Sequence, residues 1–202
     1  MNPLSPKFLA GFLDRRPVLI AIAGPNGVGK TTFFRAFLEG AGLPFVNADV
    51  LAARLGLDAY AAASVADSIR REMAARSQSF VMETVFSDPS GDKLAFLIQA
   101  EELGYSVVLF FIGASGPEIS EERVALRVTQ GGHDVPADKL QQRYPRILEN
   151  LKAAIPALPH IFILDNSDLR TPYRLLAHYE NGEARFIEQP VPAWLQPLVL
   201  KR

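Results

Sequence analysis

The chain has 202 residues, of which 49% are apolar and 21% charged, the ordinary composition of one globular domain. Cysteine is absent, which excludes disulfide scaffolds, zinc–thiolate sites, iron–sulfur clusters and cysteine nucleophiles together, and fits a reducing compartment. Lys and Arg number 21 against 22 Asp and Glu, a net charge of −1, which argues against a strongly basic nucleic-acid binder.

Residues 1–16 carry Phe8, Leu9, Phe12 and Leu13 at helical spacing and read as a short helix packed on the domain. The apolar run 18–23 reads as a strand. It follows Arg15-Arg16, but it is far short of the roughly 18–20 residues of a membrane span. It ends in Gly24-Pro25-Asn26-Gly27 without a small-residue cleavage pattern, so the chain is expected to be soluble, unprocessed and cytoplasmic, with no membrane partner. Further strands are expected over 44–47, 80–83, 106–112 and 160–164. Most are apolar nearly throughout, as in a sheet covered on both faces. Helices are expected over 31–39, 49–54, 59–76, 91–103, 120–130 and 137–154, the last kinked or split at Pro145. This alternation predicts a parallel α/β sheet with right-handed crossovers. Segments 173–180 and 183–188 flank Asn181-Gly182, the signal of a β-hairpin. The tail after Gln189, with Pro190, Pro192 and Pro197, reads as a surface strap.

Gly24-Pro25-Asn26-Gly27-Val28-Gly29-Lys30-Thr31 fits the phosphate-binding loop pattern G-x-x-x-x-G-K-[ST], between an apolar strand and a helical pattern. The glycines let backbone N–H groups turn inward around a β-phosphate. Lys30 is expected to bridge the β- and γ-phosphates, the Thr31 hydroxyl to ligate Mg²⁺, and Thr32 to sit beside them. The alternative is a chance glycine-rich turn. The loop implies a nucleoside triphosphate but no particular reaction.

Other residues choose the reaction class. Asp49 follows the second strand, at the end of a doubly wound sheet where ligands bind. It is a candidate general base for a substrate hydroxyl attacking the γ-phosphoryl, or else a helix N-cap. Glu83 and Thr84 end the third strand as a Walker-B-like carboxylate and neighbour, or as a solvated strand end. No Asp-Glu pair follows an apolar strand, which weakens a mechanical ATPase. Arg123 and Arg127 share a helix face. Between 123 and 146 five Lys or Arg, including Lys139, Arg143 and Arg146, stand against Asp134 and Asp138. Such a run is an arginine-bearing lid over a transferring phosphoryl group, or a solvated helix face. His133 is a candidate for phosphate or substrate contact, or for shaping its loop. Asn166, after the fifth strand, is a candidate adenine contact or an Asx-turn.

Assembled, the chain resembles the zeta-toxin family of P-loop kinases, in its short bacterial branch, from about Pro17 to Ser167. The resemblance rests on residues 23–31, Phe45-Val-Asn-Ala-Asp49, Met82-Glu-Thr84, Arg123-Val-Ala-Leu-Arg127, Gln130-Gly-Gly-His-Asp-Val-Pro136 and Asp165-Asn-Ser167. It implies a P-loop NTPase fold like that of small nucleotide kinases. The sheet would be parallel and five-stranded, flanked by helices, with a lid over about 123–146. On this reading 17–170 form the kinase domain, and 171–202 its hairpin and tail. The implied activity is ATP- and Mg²⁺-dependent phosphorylation of a small acceptor hydroxyl, with UDP-N-acetylglucosamine as the acceptor of better-known members and an antitoxin as possible protein partner. Carried over, Lys30 and Thr31 handle phosphates and metal, and Asp49 is the base. Glu83 positions substrate, and Arg127 stabilises phosphate. Val85 stands where larger toxins have threonine, and Arg143 is the best candidate for their second arginine. The alternatives are a nucleotide switch in a protein complex and a kinase of another nucleotide or nucleic-acid end, the latter wanting an extended basic channel.

Overall fold

The computed structural model describes residues 6–129 and 136–199. Helix α1 (Pro6–Leu13) precedes β1 (Val18–Ala23), which runs into the phosphate-binding loop and α2 (Lys30–Phe33). There follow β2 (Phe45–Val46), α3 (Ala48–Leu55), α4 (Ala59–Ala75), β3 (Phe80–Thr84), α5 (Asp92–Glu102) and β4 (Ser106–Gly113). The chain continues through α6 (Pro117–Thr129), α7 (Ala137–Ala157), β5 (His160–Asp165), β6 (Arg174–Glu180), β7 (Glu183–Ile187) and α8 (Gln196–Val199).

The strands form one sheet in the order β2-β3-β1-β4-β5-β6-β7. The first five are parallel, and β6 and β7 add antiparallel at the β5 edge. The sheet therefore has seven strands where five were expected, because the Asn181-Gly182 hairpin pairs with β5 and continues the sheet. In β1 every residue is buried, and alternate positions feed opposite cores. Leu19, Ala21 and Ala23 face Ala66 of α4, Leu97 of α5 and Leu151 of α7. Val18, Ile20 and Ile22 face Leu9 of α1 and Phe33, Phe34 and Leu38 beyond the loop. Period-2 alternation within a two-sided apolar strand is what fixes this arrangement. Among the described residues no helix is long and apolar enough to cross a membrane.

Three local expectations change. The single helix over 31–39 is instead α2, a π turn (Phe34–Leu38) and a 3₁₀ turn (Glu39–Ala41). Helix α7 runs unbroken through Pro145 and Pro156. Pro145 is exposed, as is Gln141, whose carbonyl loses its helical donor, while Leu140, Ile147, Leu151 and Ala154 anchor the other face. The tail is more than a surface strap. Val191, Trp194 and Leu195 are buried, with the Trp194 ring lying where a Cβ on Gly113 would stand.

Candidate active site

The parallel strands deliver their carboxyl ends to one crevice, the place where open α/β sheets bind ligands. Register sets the alignment, with Ile22 opposite Glu83 and Ala23 opposite Thr84. The loop leaving β1 is built on glycines with positive φ. Gly24 (φ 139°) has no room for a side chain, because a Cβ would strike the Ile112 carbonyl of β4. Gly29 (φ 96°) lies against the Asn166 amide and the Tyr173 hydroxyl.

Lys30 is buried, and its Nζ donates to the carbonyls of Gly24 (2.9 Å) and Pro25 (2.8 Å), with Glu83 Oε1 at 3.9 Å. Glu83 Oε2 accepts from Thr31 Oγ1 at 2.7 Å and from Asn47 Nδ2 at 2.6 Å. The end of β3 is thus tied both to the phosphate-binding loop and to the start of α3. Asn47 Oδ1 in turn accepts the amides of Asp49 and Val50 as the N-cap of α3. The cap alternative raised for Asp49 therefore falls to Asn47.

A cleft of about 390 Å³ opens beside Glu83 and Asp49, lined also by Asp67 and Arg70 of α4, Thr84–Pro89, Lys93 of α5, and Arg143 and Arg146 of α7. Its wall is an ion network. Arg70 is buried; Nη1 donates to Asp67 Oδ1 at 2.6 Å and Nη2 to the Glu83 carbonyl at 3.1 Å. Burial lowers the Arg70 pKa, and Asp67 and Glu83 oppose that shift. Lys93 Nζ reaches both Asp67 oxygens, at 2.8 and 2.7 Å. The floor is a bent loop. Phe86 has φ 63° and donates its amide to Thr84 Oγ1, and Asn150 Nδ2 holds the carbonyls of Phe86 and Asp88.

On the other side of the loop, α6 closes against Gly27, where a Cβ would meet the Ser120 carbonyl and Arg123 Cβ. Arg123 Nη2 donates to the Ser167 carbonyl at 3.3 Å. Buried beside the loop, Asn26 Oδ1, Ser120 Oγ and Arg123 Nη1 have no hydrogen-bond partner among the described residues. Asn166 Nδ2 donates to the Val28 carbonyl at 2.8 Å, and Tyr173 OH to the Gly29 carbonyl at 2.9 Å.

The structure thus brings Lys30, Thr31, Asp49, Glu83 and Thr84 around one crevice, with Thr32 exposed just beyond. It separates Arg143, which faces the 390 Å³ cleft, from Arg123, which holds the Ser167 loop. The Arg127 side chain and His133 lie outside the described residues. Sequence reading assigned no role to Asn47, Asp67, Arg70, Lys93 or Tyr173. Asn47 carries a signal, being a capping residue type two before the acid, and Asp67 and Arg70 carry one as an i,i+3 pair on α4; Lys93 and Tyr173 are joined to the site only by tertiary register.

Among the described residues no group of three or more His, Cys, Asp or Glu could hold a metal by itself. A hydroxyl and a carboxylate at 2.7 Å, beside the orphaned buried donor atoms Ser120 Oγ and Arg123 Nη1, suit a magnesium–polyphosphate instead. Magnesium takes few protein ligands and the rest from phosphates and water.

No curated protein matches the chain. Among solved structures, the crystal structure of AvrRxo1-ORF1:-ORF2 with ATP contains a chain that matches at TM-score 0.67 and 21% identity. The alignment covers 89% of this chain and 64% of that one, so this chain spans less than two thirds of that relative's length. The PezAT chromosomal toxin–antitoxin system of the human pathogen Streptococcus pneumoniae matches at TM-score 0.54 and 17% identity, covering 91% of this chain and 78% of that one. At such identities the likeness is one of fold, here the fold of P-loop kinases. A family model described as "Zeta toxin" matches residues 57–174, more than half of the 202 residues. With the phosphate-binding loop and the carboxylates gathered at its exit, this match places the chain in the zeta toxin family.

Proposed function

We propose that the chain transfers the γ-phosphoryl group of ATP to a hydroxyl of a small acceptor seated in the cleft beside Asp49. The observation that carries this reading is Glu83. Its carboxylate takes hydrogen bonds from Thr31 of the nucleotide loop and from Asn47, which caps the helix bearing Asp49. A donor site and an acceptor site are thus held by one side chain.

Lys30 exchanges its loop carbonyls for the β- and γ-phosphates. Thr31 and Glu83 would hold magnesium, which when bound neutralises phosphate charge. Asp49 accepts the proton of the acceptor hydroxyl as the new oxygen–phosphorus bond forms and the β–γ bridging bond breaks, releasing ADP. Arg127, from α6, stabilises the transferring group together with Arg123, and His133 contacts the substrate. Gly24–Lys30 and Thr32 cradle the phosphates, and Asn166 lies beneath that cradle. Glu83, Thr84 and Arg143 position the acceptor.

A nucleotide sugar such as UDP-N-acetylglucosamine fits this cleft in chemistry. Arg143 and Arg146 supply cations for a diphosphate, and Asp67, Asp88 and Lys93 are hydrogen-bonding groups for sugar hydroxyls. An antitoxin partner and a cytoplasmic setting accord with family membership. One matching structure is of AvrRxo1-ORF1:-ORF2, and PezAT is a toxin–antitoxin system.

The test is incubation with ATP and magnesium in the presence of single nucleotide sugars, nucleotides and short RNAs, followed by mass spectrometry. One added phosphoryl group on a nucleotide sugar is the expected result. Accumulation of ADP alone with every acceptor overturns the reading and favours a nucleotide switch.

A further inference from the structure

Tyr173 stands immediately before β6, 144 residues along the chain from the glycine it touches. Its φ is 55°, in the left-handed region that a bulky side chain seldom occupies. Its ring is fixed edge-on by Phe33 (centroids 5.2 Å apart) and Phe37 (5.7 Å), both just beyond the phosphate-binding loop. Its hydroxyl donates to the Gly29 carbonyl at 2.9 Å, an oxygen that also accepts the Phe33 amide at 2.8 Å. Asn166 works alongside it. Its Nδ2 donates to the Val28 carbonyl at 2.8 Å, and its Oδ1 accepts the Tyr173 amide at 3.4 Å.

A trans peptide unit is planar, and its C=O and N–H point in opposite directions. Holding the Val28 carbonyl from one side therefore aims the Gly29 N–H to the other side. Holding the Gly29 carbonyl does the same to the Lys30 N–H. Those two amides are donors that a phosphate-binding loop must turn inward. Burial pushes the Tyr173 phenol up, with the Thr32 hydroxyl and Arg123 opposing, so it remains a protonated donor at neutral pH.

We infer that Tyr173 and Asn166 are positioning residues for phosphate binding, aiming the Gly29 and Lys30 amides at the nucleotide from behind the loop. This makes the start of the C-terminal hairpin part of the nucleotide site, and it gives Asn166 a task other than contact with the base. The inference rests on the nucleotide reading above.

The experiment measures the affinity of the full chain for magnesium–ATP and for inorganic tripolyphosphate, which has neither base nor sugar, by titration calorimetry. Tyr173→Phe keeps the ring packing and removes the donor. It is expected to weaken both ligands by the same factor, about five- to tenfold, the effect of one hydrogen bond, while the ligand-free melting midpoint moves by less than about 4 °C. Asn166→Ala is expected to weaken both ligands equally too. Loss of ATP affinity with tripolyphosphate affinity unchanged makes Asn166 a base contact and overturns the inference. So does a lowered melting midpoint with both affinities intact, which marks a merely structural bond. Failure of the unaltered chain to bind either ligand overturns the nucleotide reading itself, and this inference with it.

Discussion

The Asn47 side chain, not that of Asp49, caps α3, with Asn47 Oδ1 accepting the Asp49 amide at 2.7 Å. The acid three residues after β2 is thereby placed in the first helical turn, next to the cleft, with the capping duty already met. If Asp49 is the general base, Asp49→Asn leaves ATP affinity within about twofold and lowers phosphoryl transfer by about 10²–10⁴-fold. Initial rates together with a nucleotide titration check both halves, and near-normal transfer by the variant removes Asp49 from that role.

Asn47→Ala separates capping from chemistry. It removes the α3 cap and one of the two donors that hold Glu83 Oε2. A loss of about 1 kcal/mol in denaturant unfolding is expected from the cap. Transfer is expected to drop as well, because the Glu83 carboxylate is then held by Thr31 alone on that oxygen.

Lys30 is buried against loop carbonyls and Glu83, so Lys30→Ala deletes the one side-chain cation inside the loop. Magnesium–ATP binding and transfer are both expected to be lost, by at least about 10²-fold. Calorimetry on the folded variant, with its circular dichroism compared to that of the unaltered chain, checks the outcome.

Two histidines set an acid limit on stability. His160 lies edge-on to Phe12 of α1, and His178 stacks on Phe162 at 4.2 Å. Burial lowers the pKa of each, with Glu180 pulling upward. Arg15 adds to the lowering at His160, and His160 and Arg185 add to it at His178. The folded state thus holds protons less tightly than the unfolded chain. Their contribution is complete above the unfolded histidine value of about 6.5 and is lost as pH falls from there through the folded values. Melting midpoints are expected to fall as pH drops below about 6.5, and replacing both histidines by Phe is expected to flatten that slope.

Trp194 gives a packing prediction. Its ring covers Gly113, and the residue is buried with Leu195. Trp194→Ala is expected to cost about 3–5 kcal/mol, read from denaturant unfolding. Gly113→Ala is expected to destabilise as well, because its Cβ has no space beneath that ring.

Much of this arrangement is legible in the residues themselves. Apolar β-rich runs bounded by helical patterns give the five parallel strands to within a residue or two, and Asn181-Gly182 gives the hairpin. The glycines and Lys30-Thr31 mark the phosphate loop because local spacing encodes a local backbone. What the residues do not announce is pairing across the sheet. Arg70 looks like one more exposed helix charge until register sets it under the Glu83 carbonyl. Tyr173 looks like the first apolar residue of a hairpin until β6 joins β5 and carries it to Gly29. The π turn after α2 is equally silent, since nothing in Phe34–Leu38 departs from a helical pattern.

Glu83 Oε2 has a consequence for how two ligands act on each other. A single oxygen is shared by Thr31 and Asn47, so a ligand that draws the carboxylate toward one loop withdraws it from the other. Nucleotide and acceptor affinities are then thermodynamically linked. Whatever factor occupancy of the first site imposes on the second, occupancy of the second must return to the first.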